Sequence, residues 1–501
     1  MMPSKVSKRG FIAGLLSTVG LAAHGEGLQR SLRPRLRPAV VPQRSMGELA
    51  RLVEAAKLSG DVCCAVADMA SGDILDGHRA HMPLPPASVA KAVTALYALT
   101  HLGPAFRFST RVVATGPIQN GVLNGDLILV GNGDPGLDTD QLAALVKEVR
   151  KTGLRSVQGR FLVDASALPL AAEIDPSQPA HVAYNPGVSG LNLNHNRVYF
   201  GWTRTAQGVE IDMEARALRY RPASQMARMQ VKDRGAPVYT YRDGGLWDEW
   251  TVARSALSKE GSRWLPVRKP HRYISEVFQT LARAEGLILP PAEFFDTPAH
   301  GITLVSQQSL PLEDILKGML KYSTNLTAEI VGMTATAVRL GKAVPLAESA
   351  AQMSRWAKER YGARNLQLVD HSGLSDRSRI SASDMVAILV KAGEDSTLQS
   401  LLKNIKMRNS KGNLAREAPT AFQAKTGTLN FVAGLGGYVK TTDGRALAFA
   451  IFSADSDRRA KIPLAQPENP KGASAWNRRA KILQYKVLNH WCRHFRSKSP
   501  I

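Results

Sequence analysis

The chain has 501 residues, of which 44% are hydrophobic and 21% are charged, a balance typical of globular proteins and not of disordered chains. This length predicts roughly two to four domains, and three cysteines exclude a disulfide-rich scaffold. The formal net charge of +23 favours anionic partners. No zinc-finger spacing or RNA-binding aromatic motif accompanies this charge, so we expect no nucleic-acid partner.

The first 25 residues have the composition of a signal peptide. A basic start precedes a short apolar run over 11–23, and small residues follow at Ala23 and Gly25. The run is too short to span a membrane comfortably. We expect export by a general secretory or a twin-arginine-like route. Residues 26–45 then form a basic linker that is rich in proline and arginine.

The body of the chain predicts an α+β fold with a large insertion. A helix over 45–58 is followed by a strand over 61–70, a turn and a returning strand. Adjacent Cys63 and Cys64 on this strand must face opposite sides, which favours two buried thiols over a bridge. A proline-rich segment then leads into an apolar helix over 88–102.

The segment 106–299 changes to short β-like runs, and we interpret it as an inserted, mostly β module of one or two subdomains. Its predicted strands are 111–115, 122–129, 160–163, 197–202 and 209–213, with one helix over 140–151. Helices resume over 271–285, 312–321, 325–340, 347–361 and 383–391. Three strands over 421–427, 432–440 and 446–453 and a helix over 473–495, which contains Cys492, complete the chain. The sheet of a discontinuous domain, 46–105 plus 300–495, is thus closed by the C-terminal segment.

The first motif with catalytic potential is Ser88-Val-Ala-Lys91. Residues three apart on a helix share one face, so the hydroxyl and the amine lie within hydrogen-bonding reach. Burial and the positive field of the helix N-terminus lower a lysine pKa, and a neutral amine can deprotonate a serine. The spacing alone is common in proteins. Ser400 and Lys403 repeat it without a proline-led helix start.

Two further motifs follow in the chain. Ser323-Thr-Asn325 lies at a helix start, where it is either a simple N-cap or a group that handles protons and binds a substrate carbonyl. Lys425-Thr426-Gly427 lies on a strand that continues through Thr428. Glycine inside a strand often marks close approach of another backbone or a ligand, and lysine with threonine can hold a carboxylate.

A second copy of the last motif, Lys151-Thr152-Gly153, ends a predicted helix on glycine, which is the usual C-terminal cap. We therefore interpret this copy as structural.

The three motifs, in this order, are those of β-lactamases and penicillin-binding proteins. The chain resembles more closely the D-alanyl-D-alanine carboxypeptidase/endopeptidase family, the class C low-molecular-mass penicillin-binding proteins. The resemblance rests on the long gap between Ser88 and Ser323 and on three segments, Gly131-Asn-Gly-Asp-Pro135, Tyr184-Asn-Pro-Gly-Val-Ser-Gly-Leu191 and Asp370-His-Ser-Gly-Leu-Ser375. It covers about residues 46–490. It implies a β-lactamase/transpeptidase-like domain, an antiparallel sheet flanked by helices, in a periplasmic protein.

The resemblance also implies a mechanism and partners. Ser88 is the nucleophile, Lys91 its general base, and Asn325 positions the amide. Ser323 and Lys425 return a proton to the leaving amine. Lys425 and Thr426 bind the terminal carboxylate, and Gly427 and Thr428 are further substrate-binding residues. The backbone N–H groups of Ser88 and Thr428 form the oxyanion hole. The substrates are peptidoglycan stem peptides and their cross-links, and β-lactam antibiotics are covalent inhibitors.

Three points separate this chain from its family or leave alternatives open. Asp164 matches an acid that the family uses to contact the free amine of a stem peptide, but its surroundings differ here. No Glu-x-x-Leu-Asn segment occurs, so fast β-lactam hydrolysis is not expected. The alternatives are a β-lactamase or esterase on the same scaffold and a non-catalytic cell-wall-binding protein.

No metal or cofactor is expected, because the histidines and cysteines lack ligand spacing.

The basic ends add a further expectation about partners. Residues 28–40 contain four arginines and no acid, and the segment from 451 to the end has 11 basic and 3 acidic residues. Such a surplus predicts electrostatic contact with anionic envelope polymers or a membrane surface, although a solvated surface is the simpler interpretation.

Overall fold

A computed structural model describes residues 43–295, 299–393, 397–408, 413–414, 421–463, 468 and 470–496. The predicted signal peptide, 1–25, and nearly all of the predicted linker, 26–45, lie outside these residues. Within the described ranges, none of the helices is both long enough and apolar enough to cross a bilayer.

The helices are α1 (Gln43–Ala55), α2 (Ala90–Leu102), α3 (Thr139–Lys151), α4 (Pro270–Ala284), α5 (Leu312–Tyr322), α6 (Asn325–Leu340), α7 (Leu346–Tyr361), α8 (Ala382–Gly393), α9 (Thr397–Leu401), α10 (Ser456–Ala460) and α11 (Ala473–His494). Short 3₁₀ turns occupy Ala87–Val89, Asn194–Asn196 and Arg254–Ala256.

The strands are β1 (Asp61–Asp68), β2 (Ile74–His78), β3 (Pro83–Leu84), β4 (Ser109–Ala114), β5 (Ile118–Gln119), β6 (Val122–Leu123), β7 (Leu127–Gly131), β8 (Ser156–Val157), β9 (Phe161–Asp164), β10 (Arg197–Thr205), β11 (Gly208–Glu214), β12 (Ala227–Lys232), β13 (Tyr239–Asp243), β14 (Asp248–Ala253), β15 (Glu260–Pro266), β16 (Ala292–Phe295), β17 (Ile302–Gln308), β18 (Ile380–Ser381), β19 (Lys403–Lys406), β20 (Ala421–Leu429), β21 (Val432–Lys440) and β22 (Ala446–Ala454).

The main sheet is antiparallel and joins both ends of the described chain in the order β19-β20-β21-β22-β1-β2. The N-terminal hairpin pairs with β22, so the C-terminal segment completes the sheet as predicted. Side chains alternate along β1, and Cys63 lies in the core on one face while Cys64 lies in the core on the other. Both thiols are free and fully buried, as is Cys492, which shares the second core.

Helices cover both faces of this sheet. Helices α1 and α11 pack on one face, while α8 and the helices around α2 form the other layer. Helix α2 is mostly apolar, and its residues from Ala90 to Ala98 are all buried, so the helix is covered on every side. A helix with apolar residues all round belongs in the centre of a core, and α2 accordingly packs against α5, α6 and α7. This position fixes the start of α2 at the edge of the sheet.

The segment after α2 forms the expected mostly β module, which has its own core. A five-stranded sheet has the order β16-β9-β7-β4-β17, and three-stranded sheets have the orders β11-β10-β15, β12-β14-β13 and β5-β6-β8. The five-stranded sheet includes β17, so it extends past residue 299, where the sequence placed the end of the insertion. The single strand expected over 122–129 is wrong. A turn at Asn124-Gly125-Asp126 divides it into β6 and β7.

Candidate active site

Ser88 lies in the 3₁₀ turn Ala87–Val89 that leads directly into α2, at the N-terminus of the predicted helix. Three glycines surround this turn so closely that a Cβ atom on any of them would collide with it. A Cβ on Gly427 would lie 2.7 Å from Pro86 O and 2.9 Å from Ser88 N, and one on Gly434 would lie 2.7 Å from the same carbonyl. On Gly373, which has φ +72°, a Cβ would meet the carbonyl of Ala87. Because these three glycines lack side chains, strands β20 and β21 and the loop at Gly373 can pack directly against the backbone of the serine turn.

Lys91 lies one turn further along α2 and is fully buried. Its Nζ is 3.0 Å from Ser88 Oγ, 2.8 Å from Asn325 Oδ1 and 2.7 Å from Ser372 O. Burial lowers the pKa of Lys91 to about 8. A neutral amine has two N–H donors and one lone pair. When the two donors bond to the Asn325 and Ser372 oxygens, the lone pair faces the Ser88 hydroxyl, which is the arrangement required of a general base.

The second motif and the third motif meet on the other side of the serine. Ser323 lies between α5 and α6, is half-buried, and adopts a left-handed conformation with φ +62°. Lys425 donates from Nζ to Ser323 Oγ at 3.0 Å and to Thr426 O at 2.7 Å. Burial, with the charges of Lys91 and Lys403, holds the pKa of Lys425 well below its usual value. This pair is a second hydrogen-bonded amine and hydroxyl beside the serine turn.

Strand β20 presents part of its edge to the site. Among the described residues, β19 pairs only with residues from Ala421 to Ala424, which leaves the edge of β20 from Lys425 onwards without a neighbouring strand. Lys425 and Gly427 are buried towards the serine turn, while Thr426 and Thr428 are exposed. An unpaired edge can receive an extended peptide by strand addition.

Asn325 connects the catalytic residues to the inserted module. Its Oδ1 accepts from Lys91, and its Nδ2 donates to the backbone carbonyl of Tyr184 at 2.8 Å. In the sequence, the segment that begins at Tyr184 contributed to the family resemblance but was given no role at the site. The structure brings this carbonyl to Asn325 and so joins the inserted module to the candidate site.

Asp164 lies at the end of β9 and is buried, with 3% of its surface exposed. Its carboxylate accepts from the Ser166 N–H and hydroxyl and from Ala299 N. These bonds hold the two loops that flank the end of the strand. A contact between Asp164 and a substrate amine stays a prediction.

The two repeated motifs lie in structural surroundings. Ser400 belongs to the short α9 and donates to Thr397 O, whereas Lys403 starts β19, so the pair does not share a helix. Lys151-Thr152-Gly153 ends α3, and Gly153 has φ +87°, which fits the capping interpretation. In the part of the chain that the structure describes, no group of acidic, histidine and cysteine residues could hold a metal ion.

Two buried acids lie behind Lys91, and neither of them was assigned a role at the site from the sequence, although Asp370 was named as the start of a segment that carries the family resemblance. Glu329 lies one turn after Asn325 on α6, and Asp370 begins the segment that supplies Ser372 O. Both carboxyl groups are buried, and burial raises the pKa of each. The sequence did contain an indication of Glu329, because this acid lies four residues after Asn325 and therefore on the same face of a mostly apolar helix.

Comparison with known proteins identifies the family. Residues 46–468 match the model of the D-Ala-D-Ala carboxypeptidase 3 (S13) family. The chain is 25% identical over 414 residues to the D-alanyl-D-alanine carboxypeptidase DacB of Haemophilus influenzae, covering 76% of this chain and 84% of that protein. It is 26% identical over 424 residues to the D-alanyl-D-alanine carboxypeptidase of Actinomadura sp. strain R39, covering 77% of this chain and 76% of that protein.

The fold matches as well. The crystal structure of penicillin-binding protein 4 (dacB) from Haemophilus influenzae superposes with a TM-score of 0.71 at 20% identity, covering 88% of this chain and 99% of that one. The resemblance to this family, the α+β fold and the serine hydrolase class expected from it are therefore confirmed. The chain belongs to the D-Ala-D-Ala carboxypeptidase 3 (S13) family, whose members are serine peptidases.

Proposed function

We propose that Ser88 attacks the carbonyl between the two terminal D-alanines of a peptidoglycan stem, or the carbonyl of a peptide cross-link. The observation that carries this proposal is the pair of contacts at Lys91 Nζ, 3.0 Å from Ser88 Oγ and 2.8 Å from Asn325 Oδ1. The Ser88 proton moves to Lys91 as Oγ bonds to the carbonyl carbon. Water later hydrolyses the acyl-enzyme, and no metal takes part.

The groups around the nucleophile have distinct roles in this proposal. The backbone N–H groups of Ser88 and Thr428 bind the oxyanion, which is supported by the close packing of β20 on the serine turn. Ser323, bonded to Lys425, delivers a proton to the leaving amine. Thr426 and Thr428 are exposed on the open edge of β20, where they receive the terminal carboxylate.

The proposal is tested by the intact mass of the protein after incubation with benzylpenicillin, with the modified tryptic peptide sequenced. We expect one adduct per chain on Ser88 and none on Ser88→Ala, whose folding is checked by circular dichroism. An adduct that persists on Ser88→Ala contradicts the assignment of the nucleophile. Rapid turnover of nitrocefin would instead favour a β-lactamase. Peptidoglycan binding that survives Ser88→Ala, with no product released by the wild-type protein, would favour a non-catalytic wall-binding protein.

The substrate range requires a second measurement. Purified muropeptides, monomeric and cross-linked, are digested with the wild-type protein and with Ser88→Ala, and the products are separated by chromatography. Release of D-alanine from monomers indicates carboxypeptidase activity, and conversion of dimers to monomers indicates endopeptidase activity. Both activities must be lost in the Ser88→Ala control if they share the proposed site.

We also propose that the chain is exported to the periplasm and contacts anionic envelope polymers through α11. A cavity of about 510 Å³ lies between β20 and this helix. Its lining includes Thr428 and the basic residues Arg408, Arg478 and Lys481, with no acid among the described residues. Concentrated positive charge of this kind attracts polyanions.

Charge reversal tests the proposed polymer contact. The variants Arg478→Glu and Lys481→Glu are combined, and co-sedimentation with cell-wall sacculi that carry anionic polymer is measured at low salt. We expect a clear loss of binding, whereas Arg283→Glu on α4 of the inserted module should bind as the wild type does. Equal binding by all three proteins contradicts the proposal. Binding to anionic lipid vesicles but not to sacculi points to a membrane surface instead.

A further inference from the structure

The segment from Asp370 to Ser375 supports the catalytic lysine from behind. Two carboxylates hold its backbone N–H groups. Glu329 accepts from His371 N and Ser372 N, each at 2.9 Å. Asp370 accepts from Gly373 N at 2.5 Å and from Ser375 N at 2.7 Å. Four N–H groups of one short segment are thus bound to two buried acids.

A single peptide group connects one of these acids to the lysine. The carbonyl of the peptide group between Ser372 and Gly373 accepts from Lys91 Nζ at 2.7 Å. The N–H of the same peptide group donates to Asp370 Oδ1 at 2.5 Å. Hydrogen bonds at both ends of an amide polarise it and strengthen each other, most of all where water is excluded. The charge on Asp370 therefore acts on Lys91 through this amide.

The remaining charged groups around the lysine come from three other elements. Glu329 on α6 raises the pKa of Lys91, and Lys425 on β20 lies near enough for the charge of Lys91 to lower the pKa of Lys425. Asp175, in the loop after β9, acts on Asp370 and opposes its ionisation. His371 has no charge to contribute at neutral pH, because burial lowers its pKa to about 3. The two acids behind the lysine are the groups that favour its protonated form.

We propose that Asp370 is a positioning residue that acts on Lys91 through the Ser372–Gly373 peptide group. When the O–H bond of Ser88 breaks and the N–H bond forms on Lys91, the new ammonium is stabilised by the polarised carbonyl and by the negative charge behind it. Glu329 supports the same segment and contributes to the same field. This inference rests on the proposed function, because it requires Lys91 to be the base.

The test is the pH dependence of acylation by a fluorescent penicillin in Asp370→Asn. This variant loses the charge and keeps one of the two acceptor oxygens, which can still bind Gly373 N, while the bond from Ser375 N is lost. Removing negative charge near the lysine lowers its pKa, so the rising limb of the rate should move by about one pH unit to lower pH. The weaker base should also lower the plateau rate, by about threefold to tenfold.

A matched control carries the same substitution at another buried carboxylate. Asp384, with 8% of its surface exposed, accepts from Asn365 N at 2.6 Å and has no described contact with the segment behind Lys91. Asp384→Asn should leave the pH limb where it is in the wild type. The thermal midpoint is recorded for each protein, because a lower midpoint alone does not move a pH limb.

The outcomes are distinct. A lower rate at every pH, with an unmoved limb in Asp370→Asn, overturns the inference and leaves a structural role only. An equal shift in Asp384→Asn overturns it as well. If Asp370→Asn does not fold, the pH dependence of acylation is measured in Glu329→Gln instead. The same shift to lower pH is expected in that variant, and an unmoved limb refutes the proposal that the two acids together stabilise protonated Lys91. If the wild-type protein is not acylated at all, the proposed function itself fails.

Discussion

One methyl group added at Gly427 should disturb the catalytic serine without removing any catalytic group. In Gly427→Ala the new Cβ lies 2.7 Å from Pro86 O and 2.9 Å from both Ala87 Cβ and Ser88 N. Favourable contacts between heavy atoms begin at roughly 3.5 Å, so the strand and the turn must separate by about 0.6–0.8 Å. Overpacking of this kind costs about 1–3 kcal/mol. Alanine recovers about 0.5–1 kcal/mol of that cost relative to glycine in a strand.

The effect on acylation should exceed the effect on stability. A displacement near 1 Å of a reacting group can slow a reaction by about 10²-fold, and Ser88 N is one of the atoms that must move. The assay is the second-order rate constant for acylation by a fluorescent penicillin, with denaturant unfolding measured in parallel. The expected result is a net loss of about 0–2.5 kcal/mol in unfolding free energy and an acylation rate lower by about 10²-fold.

Gly436→Ala is the matched control, one strand away in the same sheet and paired with Lys425. Its Cβ would meet Val89 Cγ1 at 3.2 Å and Met385 Cγ at 3.6 Å, and both are side-chain atoms that can move. Its acylation rate should therefore stay within about threefold of the wild-type rate. If Gly427→Ala is acylated as fast as Gly436→Ala, the turn is not held by the close approach of β20, and the reasoning is refuted.

Three further predictions follow from the site. The acylation rate should rise about tenfold per pH unit until it levels near pH 8, because Lys91 must be neutral and its pKa is lowered to about 8; a rate that does not change between about pH 6 and about pH 8 contradicts this. Lys425→Met removes the donor to Ser323 Oγ and should slow D-alanine release by about 10²-fold or more, and release at the wild-type rate would exclude the proposed proton path. Asp164→Asn should lower the free energy of unfolding by about 1–3 kcal/mol and leave penicillin acylation unchanged, since its bonds hold two loops; slower acylation would give it a role at the site.

Much of the main domain could be predicted because its pattern is local. Strand β21 and helix α6 have the bounds that the sequence predicted, since glycine turns and apolar periodicity delimit both. Alternation along β1 placed Cys63 and Cys64 on opposite faces without knowledge of the fold. The three motifs met in space because each begins or occupies an element whose position is fixed by burial, as the fully buried Lys91 illustrates.

The remainder depends on contacts that no local pattern contains. The edge strand β19 is mostly exposed and polar, so neither periodicity nor apolar content marked it. The acids behind Lys91 were given no role in the site because acidic residues are normally solvated, and only the folded chain shows Glu329 and Asp370 bound to the backbone of one segment. The carbonyls of Ser372 and Tyr184 are backbone groups, which residue types cannot reveal.

The inserted module should therefore affect catalysis through the carbonyl of Tyr184, and Asn185 offers a test. Its buried side chain accepts from Ile174 N at 3.0 Å and from Asp175 N at 2.9 Å, and donates to Asp175 O at 2.9 Å. These bonds close the loop that presents Tyr184 O to Asn325. Asn185→Ala leaves these buried groups unpaired, at a cost of about 1–3 kcal/mol each if water does not enter. The loosened loop should slow acylation by about tenfold or more, because Asn325 loses its fixed orientation.

A second buried asparagine separates this effect from a general loss of stability. Asn192 makes three side-chain bonds inside the module, to Ser189 N, Ser189 O and Asn196 Nδ2, but none of its described bonds reaches the residues of the candidate site. Asn192→Ala should lower stability to a similar extent and keep the wild-type acylation rate. Equal slowing in both variants would mean that the module only stabilises the fold. Slowing in Asn185→Ala alone would mean that the inserted module orients a catalytic side chain, which no comparison of the three motifs could reveal.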